Sequence, residues 1–213
     1  TSVKDQIICS VDLGINMNAV CTVMRSDGTV LGRRFINFPS EKDRLYRTLG
    51  RIRRFQRAHG SAQSRGRWAY TKRLNIELGR KIAGAIVNYA EESHADLIVF
   101  EHLEMHGKIS GKKKQKLHLW RKQDIQKRCG HKAHRKGMRI SHVCAWNTSR
   151  LAYDGSGQVS RDPQNHSLCT FRTGKRYHCD LSASYNIGAR YFIRELLKPL
   201  PKRKGLCWRQ KSL

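Results

Sequence analysis

Two short apolar runs that each carry a carboxylate constrain the fold of this chain most strongly. The first is Ile7–Ile15, in which Asp12 comes where the apolar residues give way to a turn glycine. The second is Ala95–Glu101, a continuous apolar run of the kind buried in a parallel sheet. A buried carboxylate without a partner is costly, so an acid at a strand end favours a metal ligand over a core residue. Taken alone, Asp12 is also typical of an aspartate that caps a turn.

The order of apolar patterns predicts an α/β fold with a mixed five-stranded sheet and flanking helices. Three strands joined by short turns form an antiparallel meander, and Ser40 is available as the N-cap of the helix that follows them. After the first apolar run, the predicted elements are strands at 19–24 and 29–38, helices from Ser40 and from Trp68 to His94, a strand at 95–101, a helix at 117–136 and a strand at 139–144.

The regular pattern fails between Cys144 and Cys179, where glycines and a proline separate short polar pieces. Periodicity returns in a last helix that starts near Asp180, where a negative charge suits the helix dipole. We therefore expect a core at 1–143, a small irregular insertion at 144–179, a helix at 180–198 and a basic tail at 199–213.

The charge of the chain predicts a polyanionic partner. Lys and Arg number 43 against 16 acidic residues, for a formal charge of +27, which favours nucleic acid. No acid occurs between Asp43 and Glu77, so the helices at about 40–94 form a basic arm suited to phosphates. Its candidate contacts, with those of a second basic loop, are Arg51, Arg54, Arg57, Arg65, Arg67, Lys112, Lys113 and Lys114.

Asp12, Glu101 and Asp180 are distant in sequence, but two strand ends and a helix start can meet at one edge of the sheet. Three carboxylates there repel one another unless cations bind between them. Oxygen ligands select Mg²⁺ or Mn²⁺, and a pair of such ions promotes in-line phosphodiester hydrolysis. In a strongly basic chain, this arrangement predicts a nuclease.

Three motifs resemble those of the RuvC-like nuclease domain in the transposon-encoded TnpB proteins and the type V CRISPR effectors. They are the segments 11–15, 98–101 and Asp180-x-x-Ala183-x-x-Asn186-Ile187, with Thr148-Ser149 between the second and third. The resemblance implies an RNase H fold in which Asp12, Glu101 and Asp180 bind Mg²⁺ and cut DNA under the direction of a guide RNA. It also implies an upstream part for guide and target recognition, and since the sequence starts at Thr1, just ahead of its first strand, we interpret it as a fragment.

The insertion departs from that family, in which it is usually a zinc ribbon with two Cys-x-x-Cys pairs. Here no cysteine follows Thr148-Ser149 closely, and Cys169 and Cys179 are ten positions apart. Cys144, Cys169 and Cys179 with His166 or His178 make an irregular zinc site conceivable, but ordinary thiols are the preferred interpretation. We expect a degenerate ribbon without stoichiometric zinc.

Three alternatives stay open at this point: a guided DNA binder that no longer cuts, a guide-independent resolvase or transposase of the same fold, and a structural RNA-binding protein. Ser182 stands where an asparagine is common in the third motif. The sequence shows no signal peptide and no apolar stretch long enough to span a bilayer. We therefore expect no membrane association and a soluble protein that acts on DNA in the cytoplasm of a prokaryotic cell, with reduced thiols.

Overall fold

The computed structural model describes residues 2–60, 64–102 and 122–198. The run Lys112–Lys114 and the tail at 199–213 lie outside these ranges. In chain order, the strands and helices are β1 (Ile7–Asp12), β2 (Ala19–Arg25), β3 (Val30–Ile36), α1 (Pro39–His59), α2 (Arg65–Glu92), β4 (Leu97–His102), α3 (Lys122–Arg135), β5 (Arg139–Cys144), β6 (Ser160–Arg161), β7 (Leu168–Thr170), β8 (Arg176–His178) and α4 (Cys179–Leu197).

The large sheet has the order β3-β2-β1-β4-β5, so the predicted mixed five-stranded sheet is confirmed. β1, β2 and β3 form the expected antiparallel meander, while β4 and β5 run parallel to β1. Val11 of β1 pairs with Phe100 of β4. Asp12 and Glu101 each follow one residue later, and therefore occupy adjacent positions at the same edge of the sheet.

Helices cover both faces of this sheet. The helices α1, α2 and α3 pack on the face formed by side chains such as Val11 and Phe100, and α4 packs on the face formed by Ile8 and Val99. Side chains alternate between the two faces along a strand. Asp12 and Glu101 are therefore on the face that α4 covers.

The helix α4 lies unusually close to β1 and β2. A Cβ atom added at Gly188 would come within 2.1 Å of Met24 Sδ and 3.1 Å of Ser10 Oγ, so glycine permits the approach. One turn earlier, the hydroxyls of Thr22 and Ser184 are hydrogen-bonded at 2.6 Å in the buried interface. These contacts hold the first half of α4 against the sheet.

Several predicted boundaries are wrong by a few residues. Ser40 is not an N-cap: α1 begins at Pro39, and its N-cap residue Phe38 makes no side-chain cap bond. Proline is suited to the first helical position because its fixed φ is already helical and its missing N–H would have no partner there. The helix α2 starts at Arg65, ahead of Trp68, and ends at Glu92. Of the helix predicted at 117–136, the part at 117–121 lies outside the described residues.

The insertion is more regular than we expected. It contains a three-stranded antiparallel sheet, β6-β7-β8, whose strands are only two or three residues long. Such short strands carry too few alternations to produce a periodic signal in the sequence. None of the helices in the described part of the chain is long and apolar enough to cross a membrane.

Candidate active site and nucleic-acid interface

The structure brings the three predicted carboxylates to one edge of the large sheet. Asp12 is the last residue of β1, Glu101 is the penultimate residue of β4, and Asp180 lies in the first turn of α4. The Oδ2 atom of Asp180 is 3.8 Å from the position that a Cβ atom on Gly14 would take. Asp180 therefore reaches the turn that directly follows Asp12.

The charges of these three residues interact. Burial, followed by the charges of Glu101 and Asp180, raises the pKa of Asp12 to about 7, and the positive charges of Lys122 and Arg161 act in the opposite direction. Each of these carboxylates disfavours the ionisation of its neighbours, and a cation bound between them would relieve that repulsion.

The donor chemistry fits a hard divalent cation, although the ligands are not yet assembled around one point. Within residues 2–60, 64–102 and 122–198, no three Asp, Glu, His or Cys side chains form a group that could hold a metal ion as they stand. Asp12, Glu101 and Asp180 offer only carboxylate oxygens, the donors that Mg²⁺ and Mn²⁺ prefer.

Two cations at this site were not foreseen from the sequence. Lys122, the first residue of α3, is partly buried, and burial lowers its pKa while the charges of all three carboxylates oppose that effect. Arg161 of β6 acts on Asp12 from the insertion and donates a hydrogen bond to the Ser149 carbonyl at 3.5 Å. Neither has a local sequence signal, because both are single cations in segments that are already basic or irregular.

Glu101 is held at both its backbone and its side chain. It is only 8% exposed. Gln126 of α3 donates from Nε2 to the Glu101 carbonyl at 2.9 Å, and Thr148 donates from its hydroxyl to Oε1 of the Glu101 carboxylate. Gln126 lies one turn after Lys122, so α3 contributes two polar contacts to this side of the site.

The basic arm consists of α1 and α2. Leu45, Leu49 and Ile52 of α1 are buried, which leaves the arginines on the solvent side of the helix. The predicted contacts Arg51, Arg54, Arg57, Arg65 and Arg67 are all exposed. A surface groove of about 400 Å³ on this helix is lined almost wholly by arginines, namely Arg47, Arg51, Arg53, Arg54 and Arg57, with Gly50.

The three cysteines considered for an irregular zinc site lie in two different places. Cys169 and Cys179 are buried beside Phe171 in a small core of the insertion, whereas Cys144 is exposed at the end of β5. Burial and a hydrogen bond with Cys179 raise the pKa of the Cys169 thiol to about 12. Among the described residues, the structure does not gather these thiols with a histidine into a group that could hold a metal ion.

No family model matches this sequence, and no curated protein matches it. Solved structures do match its fold. The chain in a Cas12f1–sgRNA–target DNA complex has a TM-score of 0.66 at 18% identity, over 85% of this chain and 49% of that one. The mini-RNA-guided endonuclease CRISPR-Cas_phi3 has a TM-score of 0.60 at 14% identity, over 87% and 45%. The AacC2c1–sgRNA binary complex has a TM-score of 0.64 at 10% identity, over 88% and 39%.

This chain spans less than half the length of each of these matched chains. At such low identity, the likeness shows the fold alone. The resemblance to the RuvC-like domain of type V CRISPR effectors, which three sequence motifs predict, is therefore confirmed at the level of the fold.

Proposed function

We propose that this chain is the metal-dependent DNA endonuclease domain of an RNA-guided nuclease, of the TnpB type or a compact type V effector. The observation that carries the proposal is that Asp12, Glu101 and Asp180 meet at one edge of the sheet, closely enough for their charges to raise the pKa of Asp12. Structural neighbours that include an RNA-guided endonuclease support the same reading.

In this proposal, Asp12, Glu101 and Asp180 are the ligands of Mg²⁺ or Mn²⁺, with two ions expected. When bound, such ions supply a hydroxide nucleophile and stabilise the leaving oxygen of a phosphodiester. The protein's own contribution is to gather the carboxylates on β1, β4 and α4, and to place Lys122 and Arg161 beside them. Both cations can offset the negative charge of the carboxylates and of an entering phosphate.

The proposed partners are a guide RNA and target DNA, together with the parts of the protein that recognise them. Of the three matched structures described above, two are complexes with guide RNA, and one of these also contains target DNA. The exposed arginines of α1 and α2 supply a surface for phosphates, which carry most of the affinity of basic proteins for nucleic acid. In guided systems of this kind, base pairing supplies most of the sequence specificity.

The second candidate is a guided DNA binder that does not cut. The observation behind it is that Ser182 stands where an asparagine is common in the third motif of the resembling family. The presence of all three acids at one edge favours the enzyme. A resolvase or transposase would share the acids but not the guide, and a structural RNA-binding protein would have no use for three converging carboxylates.

The test is to purify the full-length protein that contains this chain with its copurifying RNA, sequence that RNA, and incubate the complex with supercoiled plasmid that carries a matching target. Cutting that requires the guide and Mg²⁺, and that stops on chelation, supports the proposal. Guide-dependent binding without cutting would establish the second candidate. Cutting that is unchanged after the RNA is removed would identify a guide-independent nuclease, and RNA binding without any DNA binding would identify a structural protein.

A further inference from the structure

We infer that Thr148 and Asn186 are positioning residues that orient the Glu101 carboxylate and connect it to the base of the insertion. The inference rests on the proposed function, since it assigns these residues a role in holding a metal-binding carboxylate. It is carried by a chain of hydrogen bonds that runs from α4 through a turn to Glu101.

The first step is the contact between Thr148 and Glu101. Both residues are nearly inaccessible, at 2% and 8% exposure. The single hydroxyl proton of Thr148 has two acceptors within reach, Oε1 of Glu101 and the Ala145 carbonyl at 3.1 Å. An ionised carboxylate is the stronger acceptor, so the hydroxyl donates to Glu101 when Glu101 is charged. This bond fixes one carboxylate oxygen and leaves the other for a ligand.

The second step is the grip of Asn186 on the turn that carries Thr148. Its Nδ2 atom donates to the Thr148 carbonyl at 2.9 Å and to the Leu151 carbonyl at 2.8 Å. An amide nitrogen carries two protons, and both are used here. The turn also contains Asn147 at a φ of 58°, a conformation that asparagine tolerates better than most residues. Thr148 therefore cannot shift without breaking bonds to α4.

The third step joins this turn to the insertion. Val159 donates its backbone N–H to the Arg150 carbonyl at 2.9 Å, and Ala152 donates to the Gly157 carbonyl at 2.8 Å. The segment held by Asn186 therefore pairs with the residues at 157–159 at the base of the insertion. The same insertion carries Arg161. If nucleic acid displaces the insertion, these hydrogen bonds transmit the movement through Thr148 to the Glu101 carboxylate. In metal sites, mutation of a residue that hydrogen-bonds to a metal ligand commonly lowers metal affinity or activity by about 10- to 100-fold.

The test compares Thr148→Val, which keeps the shape but loses the hydroxyl, with Thr148→Ser, which keeps the hydroxyl. Asn186→Leu removes both donors of the amide. A matched control is Thr71→Val, because Thr71 is a buried threonine of α2 whose hydroxyl donates to the Arg67 carbonyl. Each full chain is titrated with Mn²⁺ in the absence of nucleic acid, and binding is followed by electron paramagnetic resonance. Thermal unfolding is measured on the same samples.

We expect Thr148→Val and Asn186→Leu to weaken Mn²⁺ binding on the order of 10-fold, while Thr148→Ser and Thr71→Val bind as the wild type does. Glu101→Gln removes a proposed ligand and should weaken Mn²⁺ binding; if it does not, the proposed role of Glu101 fails. Unchanged Mn²⁺ affinity in Thr148→Val, together with weakened binding in Glu101→Gln, would overturn this inference alone. If the wild type itself binds no Mn²⁺, the proposed function fails and this inference fails with it. Thr148→Ala takes the place of the valine variant if the latter does not fold.

Discussion

Arg67 of α2 lies over the ring of Phe55 in α1, with its guanidinium carbon 4.3 Å from the ring centroid. Arg44 makes a second link between these helices by donating a hydrogen bond to the Tyr70 hydroxyl at 2.7 Å. Cation–π contacts of this kind contribute about 0.5–1 kcal/mol at exposed sites. The arginines of the two helices are therefore presented on one connected surface rather than on separate helices.

The first prediction concerns that surface. Replacing Arg51, Arg54 and Arg57 together by alanine should flatten the salt dependence of nucleic-acid affinity, because three fewer phosphate contacts release fewer counterions. The slope of log K against log salt should decrease in magnitude by about 2 to 3. A control with the same charge change is the triple alanine variant of Lys132, Arg135 and Arg139, which are exposed around the end of α3 and the start of β5. Equal slopes of log K against log salt for the two variants would show that the arm is an ordinary solvated surface.

The second prediction concerns Arg161. Its positive charge acts on Asp12 from β6, so Arg161→Gln should slow the cutting step by roughly 100- to 1,000-fold, as expected when one donor to a developing negative charge is lost. Single-turnover rates at saturating Mg²⁺ measure this effect. Arg172→Gln is the matched control, since Arg172 is an exposed arginine of the same insertion. Similar rates in the two variants would show that Arg161 does not contribute to the cutting step.

The sequence predicts the acids of this site better than it predicts their partners. Asp12 and Glu101 could be placed because apolar runs reveal buried strands, and parallel strands end at a common edge. Lys122 and Arg161 could not, because their roles depend on side-chain positions fixed by tertiary packing across long stretches of chain. Thr148 stands out in the sequence only as part of a motif, and its bond to Glu101 has no signature in the sequence around either residue.

The elements of the fold likewise include some that the sequence predicts well and some that it does not. The strand β5 was predicted to the residue, whereas the strands of the insertion were missed because two or three residues give no period to detect. The start of α1 was misplaced because Ser40 is a good N-cap by residue type, while Pro39 is a better first helical residue by backbone geometry.

The third prediction is a pH dependence of stability in metal-free buffer. The pKa of Asp12 is raised in the folded protein from 3.8 to about 7, so the folded state binds this proton more tightly than the unfolded state. The resulting stabilisation is complete below pH 3.8 and is lost as the pH rises through 7. The free energy of unfolding of the wild type, relative to that of Asp12→Asn, should therefore fall as the pH rises from 3.8 to about 7 and change little at higher pH. Parallel curves for the two proteins would mean that Asp12 is not perturbed.

The fourth prediction concerns zinc. Cys169 and Cys179 pack as small apolar side chains beside Phe171, and Cys144 lies outside that cluster. Elemental analysis of the purified protein should find no stoichiometric zinc. About one zinc per chain, lost when Cys169 and Cys179 are both replaced by serine, would show instead that the insertion holds an irregular site.

The most direct measurement of the central claim is the rate at which single carboxylate variants cut guide-matched DNA in Mg²⁺. Asp12→Asn, Glu101→Gln and Asp180→Asn should each lower the rate by more than about 100-fold. That value is the upper end of the loss caused by mutating a residue that only hydrogen-bonds to a metal ligand, and losing a ligand itself should cost more. DNA binding should be retained, since none of these changes removes a phosphate contact. Glu77→Gln, at an exposed acid of α2, makes the same kind of change away from the site and should cut as the wild type does. Near wild-type cutting by any one of the three variants would contradict the assignment of that residue as a metal ligand.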